Sequence, residues 1–127
     1  MKKLIVSALL PVLLVAILAG CGGWRHREAG PDINPNAYSA VLLDNNQVYF
    51  GKLEKAGSAY PVLTDVYYIQ SQVNQETKAV TNILVRRGNE WHGPDRMFLN
   101  ARHILLIEPV GPSSQVAKLI EEDKKKK

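Results

Sequence analysis

The sequence predicts a mainly β chain: a small, strongly bent barrel of five or six strands with a short C-terminal helix, preceded by a signal peptide and a flexible tether. Three observations predict it. From Tyr38 onward, β-branched and aromatic runs alternate with turns rich in Asn, Gly and Pro, the pattern of an all-β domain. Gly51 sits inside a run of good strand formers, where a bulge or sharp bend belongs. A helical period emerges only near the end, where Val116, Leu119 and Ile120 share a face.

The first two strands are Ser39–Leu43 and Val48–Leu53, joined by Asp44-Asn45-Asn46-Gln47. Asparagine tolerates positive φ, which suits Asn45 or Asn46 to a hairpin turn. Lys55-Ala56-Gly57-Ser58 makes the next turn, and Tyr60–Gln70 the third strand, with Pro61 near its start, where a missing N–H matters least. Gln72–Lys78 is polar and reads as a loop. Thr81–Arg87 is a fourth strand, Gly88–Asp95 a long turn, and Met97–Leu99 and His103–Glu108 the closing strands. Ser113 or Ser114 starts the helix, and the lysines from Lys124 on follow its C-terminus, where cations favour the helix dipole.

The N-terminus has a different texture. Lys2 and Lys3 precede an almost wholly apolar run from Leu4 to Ala19, and small residues Ala19 and Gly20 precede Cys21. A charged start, an apolar core and a small-residue exit describe a secretory signal peptide. The run is short for a membrane span, which needs roughly 20 apolar residues. Residues 1–20 are thus expected to be the signal, 21–37 a Gly- and Pro-spaced tether, 38–110 the barrel, and 111–127 the helix and lysine tail.

Leu18-Ala19-Gly20-Cys21 resembles the lipobox of bacterial lipoproteins. The resemblance implies a diacylglycerol on the Cys21 sulfur, recognition of Leu18, Ala19 and Gly20 by signal peptidase II, cleavage before Cys21, and acylation of the freed amine. Several acyl chains anchor stably where one does not. It also implies a place in the cell envelope, at the outer membrane facing the periplasm in a Gram-negative host, because Gly22 stands where an Asp would signal inner-membrane retention. Cys21 is the only cysteine, so the domain must be stable without disulfides.

Val41–Asn45 with Val48–Leu53, and Met97–Ile107, look like the first two and last two strands of Sm-like and SH3-like barrels. Residues 38–110 are also similar to uncharacterised small bacterial proteins with a Val-Tyr-Phe-Gly-Lys-Leu strand and a Gly-Asn-Glu-x-His-Gly-Pro segment. The resemblance implies the fold. The turn Asn100–His103 departs from the RNA-binding Sm pattern, and export places the domain away from cellular RNA.

Charge and motif content narrow the function. The formal net charge is +4, but residues 1–20 carry Lys2 and Lys3 away and leave 14 Lys and Arg against 12 Asp and Glu. Four of those cations are Lys124–Lys127, so the body of the domain has no basic excess, which argues against nucleic acid. Glu90, His92, Asp95 and His103 are the obvious metal or acid–base set, and their spacing matches no ligand motif. No serine-hydrolase, zincin or phosphate-loop motif occurs, so no cofactor is expected. Neighbouring strand residues face opposite ways, so Tyr49 and Phe50, like Tyr67 and Tyr68, cannot both enter one core. Tyr49, Tyr67, Trp91 and His92 are the candidate partner contacts. The expectation is a non-enzymatic module that binds or scaffolds an unknown envelope protein or an anionic polymer. The alternatives are an Sm-like barrel binding nucleic acid or another polyanion, and a hydrolytic enzyme.

Overall fold

The computed structural model describes residues 30–126. Leu18, Ala19, Gly20 and Cys21, expected to form a lipobox, lie outside them. Six antiparallel strands form one sheet: β1 (Tyr38–Leu43), β2 (Val48–Glu54), β3 (Val62–Val73), β4 (Val80–Arg86), β5 (Arg96–Phe98) and β6 (Ile104–Pro109). A 3₁₀ turn, Ala101–His103, joins β5 to β6, and α1 (Gln115–Lys125) ends the fold. The ladder runs β4-β3-β2-β1-β6, with β5 also on β3. Both β4 and β5 therefore lie along one edge of β3, β4 opposite Tyr67–Val73 and β5 opposite Val62–Thr64. The chain then crosses through the 3₁₀ turn to pair β6 with β1, which curls the sheet round its core. Among the described residues no helix is long and apolar enough to cross a membrane.

The β1–β2 hairpin turns where the Asx cluster places it, with Asn46 at φ 62° and Asn45 Oδ1 accepting from the Gln47 N–H at 3.0 Å. β3 runs past its expected end at Gln70 to Val73, and β4 starts one residue earlier than expected, at Val80. The stretch expected to loop from Gln72 pairs Gln72 with Thr81 and Val73 with Val80, and only Asn74–Ala79 turns. Asn74 Oδ1 organises that tip by accepting from the N–H groups of Glu76 and Thr77. The tether also ends earlier than expected: Ile33 packs against the barrel core, so the packed domain starts before Tyr38.

Two apolar layers result. Val41, Leu53, Leu63, Val66 and Leu99 fill the barrel. Phe50, Tyr67 and Ile120 form a second cluster between the sheet and α1, with Val116 and Leu84 beside them. The neighbours Tyr49 and Phe50 divide between the two layers.

The bend has an unexpected author. Lys52 pairs with Thr64 and Phe50 with Tyr67, so three steps of β3 face two of β2. The extra residue is on β3, at Asp65-Val66, opposite Gly51. Asp65 takes φ 50°, a left-handed conformation that Asp tolerates better than most residues. Strict alternation from the buried Leu63 would send the Asp65 carboxylate into the barrel. The bulge instead puts Val66 inside and Tyr67 beneath the helix. Gly51 makes room: a Cβ there would lie 2.7 Å from Leu63 Cγ and 2.8 Å from the Thr64 carbonyl oxygen.

Candidate functional site

Diverting Asp65 from the core aims it at α1. Ser114 caps that helix, its side chain accepting from the Ala117 N–H at 3.1 Å. Helical spacing then carries Val116 and Ile120 inward and sets Asp123 and Lys124 one turn on, on the same side. Lys124 Nζ lies 3.1 Å from Asp65 Oδ2 and 4.9 Å from the centre of the Tyr38 ring. The Tyr38 hydroxyl donates to Asp65 Oδ2. Arg86 Nη2 sits 2.9 Å from Asp65 Oδ1, off the line of a hydrogen bond, and Nη1 is 3.8 Å from Asp123 Oδ2. The Tyr67 hydroxyl donates to Asp123 Oδ2 at 3.0 Å. The two tyrosine rings meet edge to face, with centroids 6.3 Å apart.

The protonation of this cluster is set by its surroundings. Burial and hydrogen bonds to carboxylates push both tyrosine hydroxyls well above their ordinary range, so they stay neutral donors. Burial also pushes the Asp65 carboxyl up. Hydrogen bonds from Tyr38 and Lys124, with the charges of Lys124 and Arg86, outweigh it and hold the carboxyl below its usual range. The cluster is a polar clasp that fastens α1 to the barrel.

The clasp floors a cleft of about 460 Å³. Asp65, Arg86 and Asp123 line it, as do Arg96, Met97 and the two ends, 87–89 and 94–95, of the 87–95 segment. This segment is built around Glu90. Its carboxylate takes the Arg87 Nε–H at 2.8 Å and the Gly88 N–H at 2.7 Å, and its carbonyl accepts from the Gly93 N–H at 2.8 Å. Gly88 and Gly93, at φ 124° and 53°, permit the tight path. The Gly88 N–H above all, with the charge and hydrogen bond of Arg87, holds the Glu90 carboxyl below its ordinary range. Arg87 lies over the Tyr49 ring at 5.8 Å, and its N–H donates to the Val66 carbonyl at 2.8 Å. At the apex Trp91 has no packing partner and is 107% exposed.

The four candidate contact residues therefore have three roles. Trp91 and His92 are exposed on the loop. Tyr49 is half-buried and braces the loop through Arg87. Tyr67, 1% exposed, is a correction: it lies under α1, donates to Asp123 and offers no surface to a partner. His103 belongs elsewhere, its Nδ1 2.6 Å from Asp44 Oδ2 at the β1–β2 turn. Asp95 pairs with Arg96 at 2.8 Å. Among the described residues no group of three or more His, Cys, Asp or Glu is placed to hold a metal ion.

Sequence reasoning missed Asp65, although a charged residue between Thr64 and Val66 in an apolar strand was a visible signal. It also put Lys124 and Lys125 in a solvated tail, whereas both are helical and Lys124 closes the clasp. No protein-family model matches the chain, and no curated protein is significantly similar to it.

Proposed function

We propose that this chain is a lipid-anchored, non-enzymatic binding module of the cell envelope. Cys21 ties it to the membrane, and the braced 87–95 loop and its cleft engage an envelope protein. The observation that carries the binding site is Trp91, a large aromatic left wholly exposed on a loop whose backbone is internally bonded. Trp and Arg dominate binding energy at protein interfaces, and a pre-ordered loop loses little entropy on docking.

A polyanion partner fits less well. Arg86, Arg87 and Arg96 at the cleft each contact a carboxylate already, and an anion would have to displace it. Hydrolytic chemistry fits less well again, because the cleft carboxylates of Asp65, Asp95 and Asp123 are each paired with a cation or a tyrosine hydroxyl.

Two measurements test the reading. Cys21→Ser should abolish incorporation of radiolabelled fatty acid and leave the chain uncleaved before residue 21; labelling at wild-type level refutes the anchor. A photocrosslinking residue at position 91 should give discrete adducts in cells, while one at Glu108 on β6 should not. Equal adducts from both positions refute the loop as the contact.

A further inference from the structure

An exposed aromatic pair lies where the polypeptide joins the domain. Gly30 abuts the backbone of Gly57 in the β2–β3 turn. Tyr60 follows three residues later and is 60% exposed. The Ala101 N–H donates to the Ala59 carbonyl, and the Leu99 N–H to that of Pro61, so the β3–β5 ladder continues past β5. Phe98, 67% exposed, pairs with Val62. Continuing that register sets Tyr60 and Phe98 on one face as diagonal neighbours, within about 8 Å of each other.

Nine residue steps separate Cys21 from Gly30. At full extension they reach roughly 30 Å, about the diameter of the domain itself. An acylated Cys21 thus keeps this end within about 30 Å of the bilayer, nearer to it than a face on the far side of the domain. The surrounding charges are mixed: Lys55, Arg96 and Arg102 are exposed beside this end, and so are Asp32 and Glu54. Aromatic rings, rather than net charge, distinguish the face, and tyrosine favours the headgroup region.

We propose that the Tyr60–Phe98 face rests on the lipid surface and orients the domain. This rests on the anchoring reading. β3 runs from Val62 beside the patch to Val73. At 3.3 Å per residue the β3–β4 tip lies up to about 35 Å from the patch along the strand. The exposed Val73 and Val80 pair there, at the end of the strand far from the patch.

The test uses the full lipidated chain, with Trp24→Phe and Trp91→Phe, in vesicles of phosphatidylethanolamine and phosphatidylglycerol containing brominated lipid. A single tryptophan is restored as Phe98→Trp, Tyr60→Trp or Val80→Trp. Flotation with the vesicles reports anchoring, and quenching reports contact. We expect flotation of all three. The lipid should quench at least half the fluorescence at 98 and 60, and almost none at 80, with little change at high salt. Flotation without quenching at both 98 and 60, or with equal quenching at 80, overturns the docking face alone. Failure to float overturns the anchor and the docking face together. Having two patch positions keeps the test decisive if one substitution disturbs folding.

Discussion

Adding a single methyl group at position 51 tests how the barrel bends. Gly51 is buried in β2 opposite the Asp65 bulge. A Cβ there would meet Leu63 Cγ at 2.7 Å, Thr64 O at 2.8 Å and Leu63 Cδ1 at 3.1 Å. The first and third contacts belong to a side chain with 0% exposure, which has nowhere to move. The second is backbone, fixed by the Lys52–Thr64 pairing. Both strands must separate locally to admit the methyl. Overpacking of this kind costs about 1–3 kcal/mol. Gly51→Ala is placed near 2 kcal/mol, after the smaller unfolded-state gain from removing glycine. Gly51→Val, with two more carbons in the same gap, falls at or above the top of the range. With a urea slope of about 1–2 kcal/mol/M, the alanine variant lowers the midpoint by roughly 1–2 M. It lowers Tm by roughly 8–16 °C. Urea denaturation of the soluble domain lacking Cys21 and the residues before it, with and without each substitution, measures this. An unchanged or higher midpoint for Gly51→Ala would mean that the close approach at the bulge is not what shapes the sheet.

Asp65→Asn keeps a side chain that tolerates φ 50° but removes the charge facing Arg86 and Lys124. A loss of about 2 kcal/mol is expected for this half-exposed cluster, with faster hydrogen exchange in α1; unchanged exchange there refutes the clasp. The same carboxyl predicts an acid dependence. Its folded-state pKa lies below the unfolded value of about 3.9. Its stabilisation is therefore complete above about pH 4 and is lost as pH falls through the folded value. The urea midpoints of wild type and Asp65→Asn should accordingly converge in acid, and a gap that stays constant to pH 2 contradicts this. Ser114→Ala removes the helix cap and should cost about 1 kcal/mol by the same denaturation assay.

Local chemistry made much of the fold legible. The Asx hairpin, the glycine inside β2 and the apolar face of α1 each announce themselves within a few residues. Alternation also required Tyr49 and Phe50 to part, and they do so into two layers. The clasp was not legible, because Tyr38, Asp65, Arg86 and Lys124 are brought together only by the completed sheet and helix. Asp65 signalled a misfit with its strand, but not its partners. The end of β3 was hidden for a different reason. Gln72 and Thr81 are polar on an exposed hairpin, so pairing there leaves no hydrophobic pattern to read. On the loop, the exposure of Trp91 and His92 was legible because a side chain in a long turn needs no long-range contact to stay at the surface.

The shared edge of β3 has an architectural consequence. Ten positions of chain separate Arg86 from Arg96, while the ladder opposite them advances only three, from Tyr67 to Thr64. Seven residues are surplus to the pairing. β4 and β5 are in effect one strand interrupted by a detour, and the detour carries Trp91, His92 and the cleft wall. Its length and composition can change while the strand ends on either side keep their register. The barrel thus serves as a chassis for this segment, which stands outside the pairing that holds the core.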